Sequence, residues 1–266
     1  MPSFVGKAFA TYFKNLLGMN QTSNTGVDAT LRNVQDGAGN NTSISLSDDE
    51  MKIQPVNDDS VRTFSVYNQA GEPFLTADAT NKRLMAGENN NNVHTHYAHF
   101  GISSVFGHAA VAGTHYAVPF GNLYAGSAVN IAMGTGANPS TTYDISANNN
   151  ADDMIMYLWY VVDDITIDRV HWFAGGSAAT GDNINLHLLS FDIDTDNGST
   201  GGDLSSGTVI AGGSDVTSLG YENIIYQGIS PSSADVDGGK VIMATFESNG
   251  TNSDYSINIT VKYHLR

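Results

Sequence analysis

Five of the chain's eight histidines, His94, His96, His99, His108 and His115, stand close together in the sequence. Val93-His94-Thr95-His96-Tyr97 predicts two imidazoles on one face of an extended strand, because side chains two apart in a strand point the same way. In a parallel trimer, His94 and His96 of the three copies would surround the three-fold axis. That arrangement makes an octahedral nitrogen site suited to an axial transition metal such as iron, nickel or zinc, and unsuited to calcium. The competing reading is two ordinary polar residues whose ring nitrogens are hydrogen-bonded locally.

A second cluster is acidic. Asp192-Ile193-Asp194-Thr195-Asp196-Asn197-Gly198, with Asp203 following, has the alternation of a calcium loop. Two features depart from that pattern: glycine falls one place late, and an aspartate replaces the bidentate closing glutamate. The competing reading is a strand end with a solvated acidic face. No nucleophile elbow, phosphate-cradling lysine loop, dinucleotide fingerprint or zinc-protease helix occurs. The adjacent pairs Asp152/Asp153 and Asp163/Asp164, read as strand residues, point to opposite faces and make no acid/base couple. The expectation is a protein that is not an enzyme.

The elements that position these residues follow from composition. The 27 acidic residues include only five glutamates, and they stand against 11 Lys+Arg, for a net charge of −16 over 266 residues. Aspartate favours turns and caps, glutamate helix interiors. With 28 glycines and abundant Asn, Ser and Thr, the chain is expected to be mostly β. Such acidity argues against nucleic acid as a partner, and no apolar run is long enough for a membrane span. The absence of cysteine removes thiol chemistry and thiolate metal sites.

One helix is expected. Phe4, Val5, Phe9, Tyr12, Phe13, Leu16 and Leu17 fall on the stripe of an amphipathic helix with Ser3 as N-cap and Gly18 as its C-terminal glycine. Residues 1–20 are therefore expected to be an anchor that docks on another protein. Residues 21–92 alternate short strands with turn sequences such as Asp36-Gly37-Ala38-Gly39 and Asn68-Gln69-Ala70-Gly71, and supply too few large apolar groups for a core of their own.

From Asn89 through Tyr143 there is no Asp, Glu, Lys or Arg. That depletion suggests the centre of a subunit interface. Residues 93–113 are expected to be an uncharged, His-rich connector. Residues 114–266, with about eight strands spaced by Gly/Asp/Ser loops, are expected to form a jelly-roll β-sandwich knob. Residues 150–266 carry 16 acids and four bases, which marks the knob as the exposed acidic end.

Phe64-Ser65-Val66-Tyr67-Asn68-Gln69-Ala70-Gly71-Glu72-Pro73-Phe74-Leu75-Thr76-Ala77-Asp78 resembles the F-x-V-x-N-x-x-G-x-x-x-L-x-x-D hairpins of bacteriophage fibre and spike shafts. Leu31–Ser47 is similar to the adapter segments behind their particle-binding ends. Thr114–Phe120, Gly181-Asp182-Asn183-Ile184 and Asn258–Tyr263 resemble the terminal domain of marine phage virion proteins. The resemblance implies a homotrimeric structural protein of the virion. Its N-terminal helix would bind other virion proteins, and its knob would contact a host surface receptor or glycan through loops such as Thr195–Ser206 and Gly228–Gly239. It also raises the standing of His94 and His96, since phage spikes carry H-x-H axial metal sites. The alternatives are a capsid decoration or head-fibre protein, and a glycan-cleaving tail spike.

Overall fold

The computed structural model describes residues 16–21, 26–86, 91–103, 111–121, 123–124, 131–145, 151–176, 181–194, 202–218, 220, 223–250 and 255–266. The protein is mostly β, and the chain divides into two compact units, Met1–Val93 and His94–Arg266.

The first unit holds two antiparallel meanders. One joins β1 (Leu17–Met19), β2 (Arg32–Asp36), β3 (Asn41–Leu46) and β4 (Met51–Ile53), each strand beside its predecessor. The other joins β5 (Phe64–Tyr67), β6 (Pro73–Asp78), β7 (Arg83–Ala86) and β8 (Asn91–Asn92) in the same way. Local chemistry sets their turns. The Asp36 carboxylate accepts from the amides of Ala38 and Asn40, both at 2.9 Å, and folds the chain back between β2 and β3. Between β5 and β6, the Asn68 side chain accepts from the Glu72 amide at 2.9 Å and donates to its carboxylate at 2.8 Å. Gly71 takes the left-handed φ of +82° that this turn needs and side chains resist. Asp78 repeats the device, with Asn81 donating from both backbone and side chain. These hydrogen bonds hold its carboxyl below the usual carboxylate range.

Of the expected anchor helix, Phe4, Val5, Phe9, Tyr12 and Phe13 lie outside the described residues. Where its last turn was expected, the structure differs. Leu17 opens β1 and pairs with Asp36, Gly18 lies opposite Gln35, and Leu16 and Leu17 are both exposed. Gly18 is thus extended and pairs in a ladder, so it does not act as a left-handed helix cap.

The second unit has two sheets. One contains β9 (Thr95–Ser103), β14 (Ile165–Gly176), β18 (Ile225–Ile229) and β21 (Tyr255–Leu265), with the short β11 (Leu123–Tyr124) and β19 (Asp235–Val236). Its order is β11-β9-β21-β14-β18, with β19 beside β14. The other contains β10 (Thr114–Val118), β12 (Ala132–Thr135), β13 (Trp159–Tyr160), β15 (Asn183–Ile193), β16 (Leu204–Gly212), β17 (Val216–Thr217) and β20 (Val241–Ser248). Its order is β12-β10-β20-β15-β16, with β13 and β17 attached to β20 and β15.

Alternate residues of both sheets meet in one core. Phe100, Ile167, Trp172, Ile257 and Ile259 come from the six-stranded sheet, and Val118, Ile184, Leu186, Ala244 and Phe246 from the seven-stranded one. The far face of the seven-stranded sheet is also covered. Ala117, Leu189, Phe191 and Met243 pack there against Ile131, Met133, Met154 and Tyr157. The covering segment includes a short helix, Ala151–Ile155, so Asp152 and Asp153 are helical where they were read as strand residues. Asp152 and Asp153 occupy its first turn, where negative charge suits the N-terminal end of the helix dipole.

The uncharged stretch is explained largely within one chain. Its described part supplies β9, β10 and β12, so residues 93–113 contribute a long core strand where a connector was expected. All five residues of β10 are buried, because both of its faces are covered. A strand buried on both sides can hold no unpaired charge.

Candidate functional site

The sequence-chosen histidines separate. His94 is exposed in a turn, and His96 is exposed within β9, stacked on Tyr263 with ring centroids 5.4 Å apart. That contact begins an aromatic ladder at the margin of the core: Tyr263 meets Trp159 at 4.9 Å, Trp159 lies parallel to Phe120 at 6.1 Å, and Phe120 meets Phe100 edge-on at 5.2 Å. His99 approaches the Thr260 hydroxyl at 3.2 Å across the β9–β21 pairing.

The acidic cluster is a hairpin end. Asp192 belongs to β15 and pairs with Lys240, while the Asp203 carboxylate accepts from the Ile145 amide at 2.8 Å. The Asp194 amide donates to the Asp203 carbonyl at 2.7 Å. Asp196 and residues 195–201 lie outside the described residues. Two of the four proposed calcium ligands are therefore engaged in holding strands and the 143–145 segment together. Among the described residues, no group of three or more His, Asp or Glu side chains is placed to hold a metal ion.

A histidine pair that sequence reasoning did not single out lies beneath residues 131–145. His115 of β10 and His187 of β15 are 0% and 2% exposed, and their rings meet edge-on at 5.0 Å across β20. His115 Nε2 donates to the Gly136 carbonyl at 2.9 Å. Burial, and then the neighbouring His115, push His187 down to about 4, against the opposing pull of the Ala137 carbonyl. Burial likewise raises Glu247, the cross-strand neighbour of His115. His115 Nδ1, His187 Nδ1, Thr245 Oγ1 and Asn185 Oδ1 are buried without a hydrogen-bond partner, which makes this a place for internal water. With both rings sealed from solvent, no substrate can reach them. Only the pairing register of β10, β20 and β15 brings them together, since 72 positions separate them in the numbering.

The open surface of the second unit is the outer face of the six-stranded sheet. Core residues Ala98, Phe100 and Ile102 fix its inward positions, so Tyr97, His99, Gly101 and Ser103 point outward. The cross-strand rows run Tyr97–Lys262–Arg169, His99–Thr260–His171–Gly228, Gly101–Asn258–Phe173–Tyr226 and Ser256–Gly175. None of these four contains an acidic residue; the next row, Thr95–His264–Thr166–Asp235, ends in one, and Asp168, in the β14 bulge beside Arg169, accepts from His264 Nδ1 at 3.0 Å. A recess of about 430 Å³ opens at one end, bordered by Ser103, Phe173, Gly175, Ile224 and Asn258. No protein-family model matches the chain, and no curated protein matches it in sequence. Among the described residues, no helix is long and apolar enough to cross a membrane.

Proposed function

We propose that the chain is a non-enzymatic structural subunit of a bacteriophage virion, a homotrimeric fibre or spike. In this reading the first unit is a β shaft, anchored to other virion proteins through the N-terminus. The second is a jelly-roll knob that contacts the host surface. One observation carries the reading: among the described residues of the first unit, no apolar side chain is buried. Val34, Leu46, Val66, Leu75 and Leu84 are half-buried, and Val27, Met51, Val56, Val61, Phe64 and Phe74 are exposed. Small sheets of this kind are marginal alone, and each large apolar side chain brought out of water adds about 1.5–3 kcal/mol. Identical copies are the simplest cover, and the fibre resemblance of Phe64–Asp78 points the same way.

The jelly-roll assignment is supported by strand order. Numbered one to eight along the chain, β9, β10, β14, β15, β16, β18, β20 and β21 give 1-8-3-6 in one sheet and 2-7-4-5 in the other. This is the double Greek-key winding of jelly rolls, a fold shared by viral capsid proteins and lectins. Native mass spectrometry of the full chain tests the reading: three chains per particle are expected. A monomer at all concentrations overturns it, and so does cleavage of host polysaccharide by the purified protein, which would move the chain to the glycan-cleaving spikes.

A further inference from the structure

The second unit repeats, on the outer face of its six-stranded sheet, the need for cover seen in the first. Tyr97, Phe173, Ile224 and Tyr226 are 59%, 51%, 70% and 80% exposed, and they stand on or beside the acid-free rows of the six-stranded sheet. Phe173 and Tyr226 are cross-strand partners, and exposed aromatics side by side mark interaction surfaces.

Charge indicates what covers them. Residues 150–266 contain four basic residues against 16 acidic ones. Lys240 is paired with Asp192, and Arg266 with Asp164, Asp235 and Asp237. The other two, Arg169 and Lys262, are cross-strand partners on this face, and neither forms an ion pair among the described residues; the nearby Asp168 is taken by His264. Arg169 is held by neutral groups, the Ser230 hydroxyl and the Gly228 carbonyl. His99 and His171 occupy the next row. In a chain of net charge −16, these rows are where a second copy can approach with little carboxylate facing carboxylate.

A two-fold, face-to-face contact would set the two Arg169–Lys262 rows together. A head-to-tail contact instead lets the acidic surface of one copy meet the basic row of the next, and such contacts form a ring when the rotation between copies closes.

We propose that the outer face of the six-stranded sheet is the docking surface for the next copy of this chain in a cyclic oligomer. Carboxylates of that copy meet Arg169 and Lys262, and its apolar surface covers Tyr97, Phe173 and Tyr226. The inference rests on the homotrimer reading and adds the surface through which the second units meet.

Hydroxyl-radical labelling of the full chain, read by mass spectrometry alongside native mass, separates the two. In the assembled protein, labelling of Tyr226, Tyr97 and Phe173 is expected to fall by about tenfold relative to diluted, dissociated chain. Lys262→Glu and Tyr226→Ala change exposed or half-buried positions and leave the single unit folded; both are expected to raise labelling of the remaining face residues in the assembly. A trimer whose Tyr226 labels as fast as in the dissociated chain overturns this inference and leaves the homotrimer standing. A chain that is monomeric throughout overturns both. Protection of a monomer's face by added hyaluronan, with no protection by dextran, reassigns the surface to an acidic glycan and overturns the docking of a second copy.

Discussion

In the first unit the strands are three to six residues long where their side chains are described, and only Thr76 and Asp78 are buried. In the second, strands of up to 12 residues enclose Trp172, Tyr157, Phe100, Phe191 and Phe246, each at most 1% exposed. Both regions use the same β-forming residues and the same Asn/Asp/Gly turns. What separates them is layering. A meander has two faces and covers neither, whereas two sheets facing each other cover one face of each. In the second unit a further segment, 131–158, covers the far side of one sheet. In the proposed assembly, folding energy in the first unit comes from association, while the second holds its own core.

This contrast can be broken most forcefully in the second unit. Trp172→Ala removes a buried side chain whose Nε1 donates to the Gln227 side-chain Oε1 at 3.4 Å. It should cost about 3–5 kcal/mol, measured by chemical denaturation. An equally sharp loss on truncating an exposed residue of the first unit in dilute, dissociated protein would erase the distinction.

Acid should also act selectively on the second unit. His187 titrates at about 4 when folded and near its ordinary value of 6.5 when unfolded. As pH falls, the unfolded chain takes up the proton first. This contribution to stability is full above pH 6.5 and is lost progressively down to about pH 4, by about 3 kcal/mol in all. Denaturation midpoints at pH 7, 5.5 and 4 should show that slope, and His187→Gln should flatten it. Hydrogen exchange should locate the loosening at residues 131–145, whose Gly136 and Ala137 carbonyls face the pair.

Phe74→Ala sharpens the comparison from the other side. Phe74 is 52% exposed, so the dissociated chain should lose only about 0.5 kcal/mol. In the assembled protein the loss should be about 1.5–3 kcal/mol, read as a rise in the concentration needed for assembly. Equal effects in both states would remove Phe74 from any contact between copies. The smallest effect is expected from Gly71→Ala, where a left-handed turn residue gains a Cβ with open space around it. Backbone conformation alone should cost about 1 kcal/mol, visible as faster hydrogen exchange in β5 and β6.

Local order was legible in the sequence wherever local chemistry decides it. The Asn68–Gly71 and Asp36–Gly39 turns, β7 at Arg83–Ala86 and the alternating strands around Ile184–Leu188 and Ile257–Tyr263 stand where turn residues and period-two patterns place them. Three features turned on contacts that sequence does not record. The stripe that ends at Leu17 has helical spacing, yet its last residue pairs with Asp36 in a sheet, because a neighbouring strand outweighs weak local propensity. The charge-free stretch pointed to a contact between subunits; β10 is covered from both sides by its own chain, while β9 keeps Tyr97 and His99 on an exposed outer face. The twelve-residue aspartate spacing matched a calcium loop, while Asp192 and Asp203 answer to Lys240 and Ile145, contacts between segments distant in sequence.

The sequence alone determined the β character, the turns, the excess of acid and the scarcity of apolar bulk before residue 93, because these depend on residue types and near neighbours. Tertiary structure alone decided which strands became neighbours. That choice buried His115 against His187, paired Arg169 with Lys262 across two strands of one sheet face and left Tyr226 exposed. Strand register joins residues far apart along the chain, and no local pattern records it.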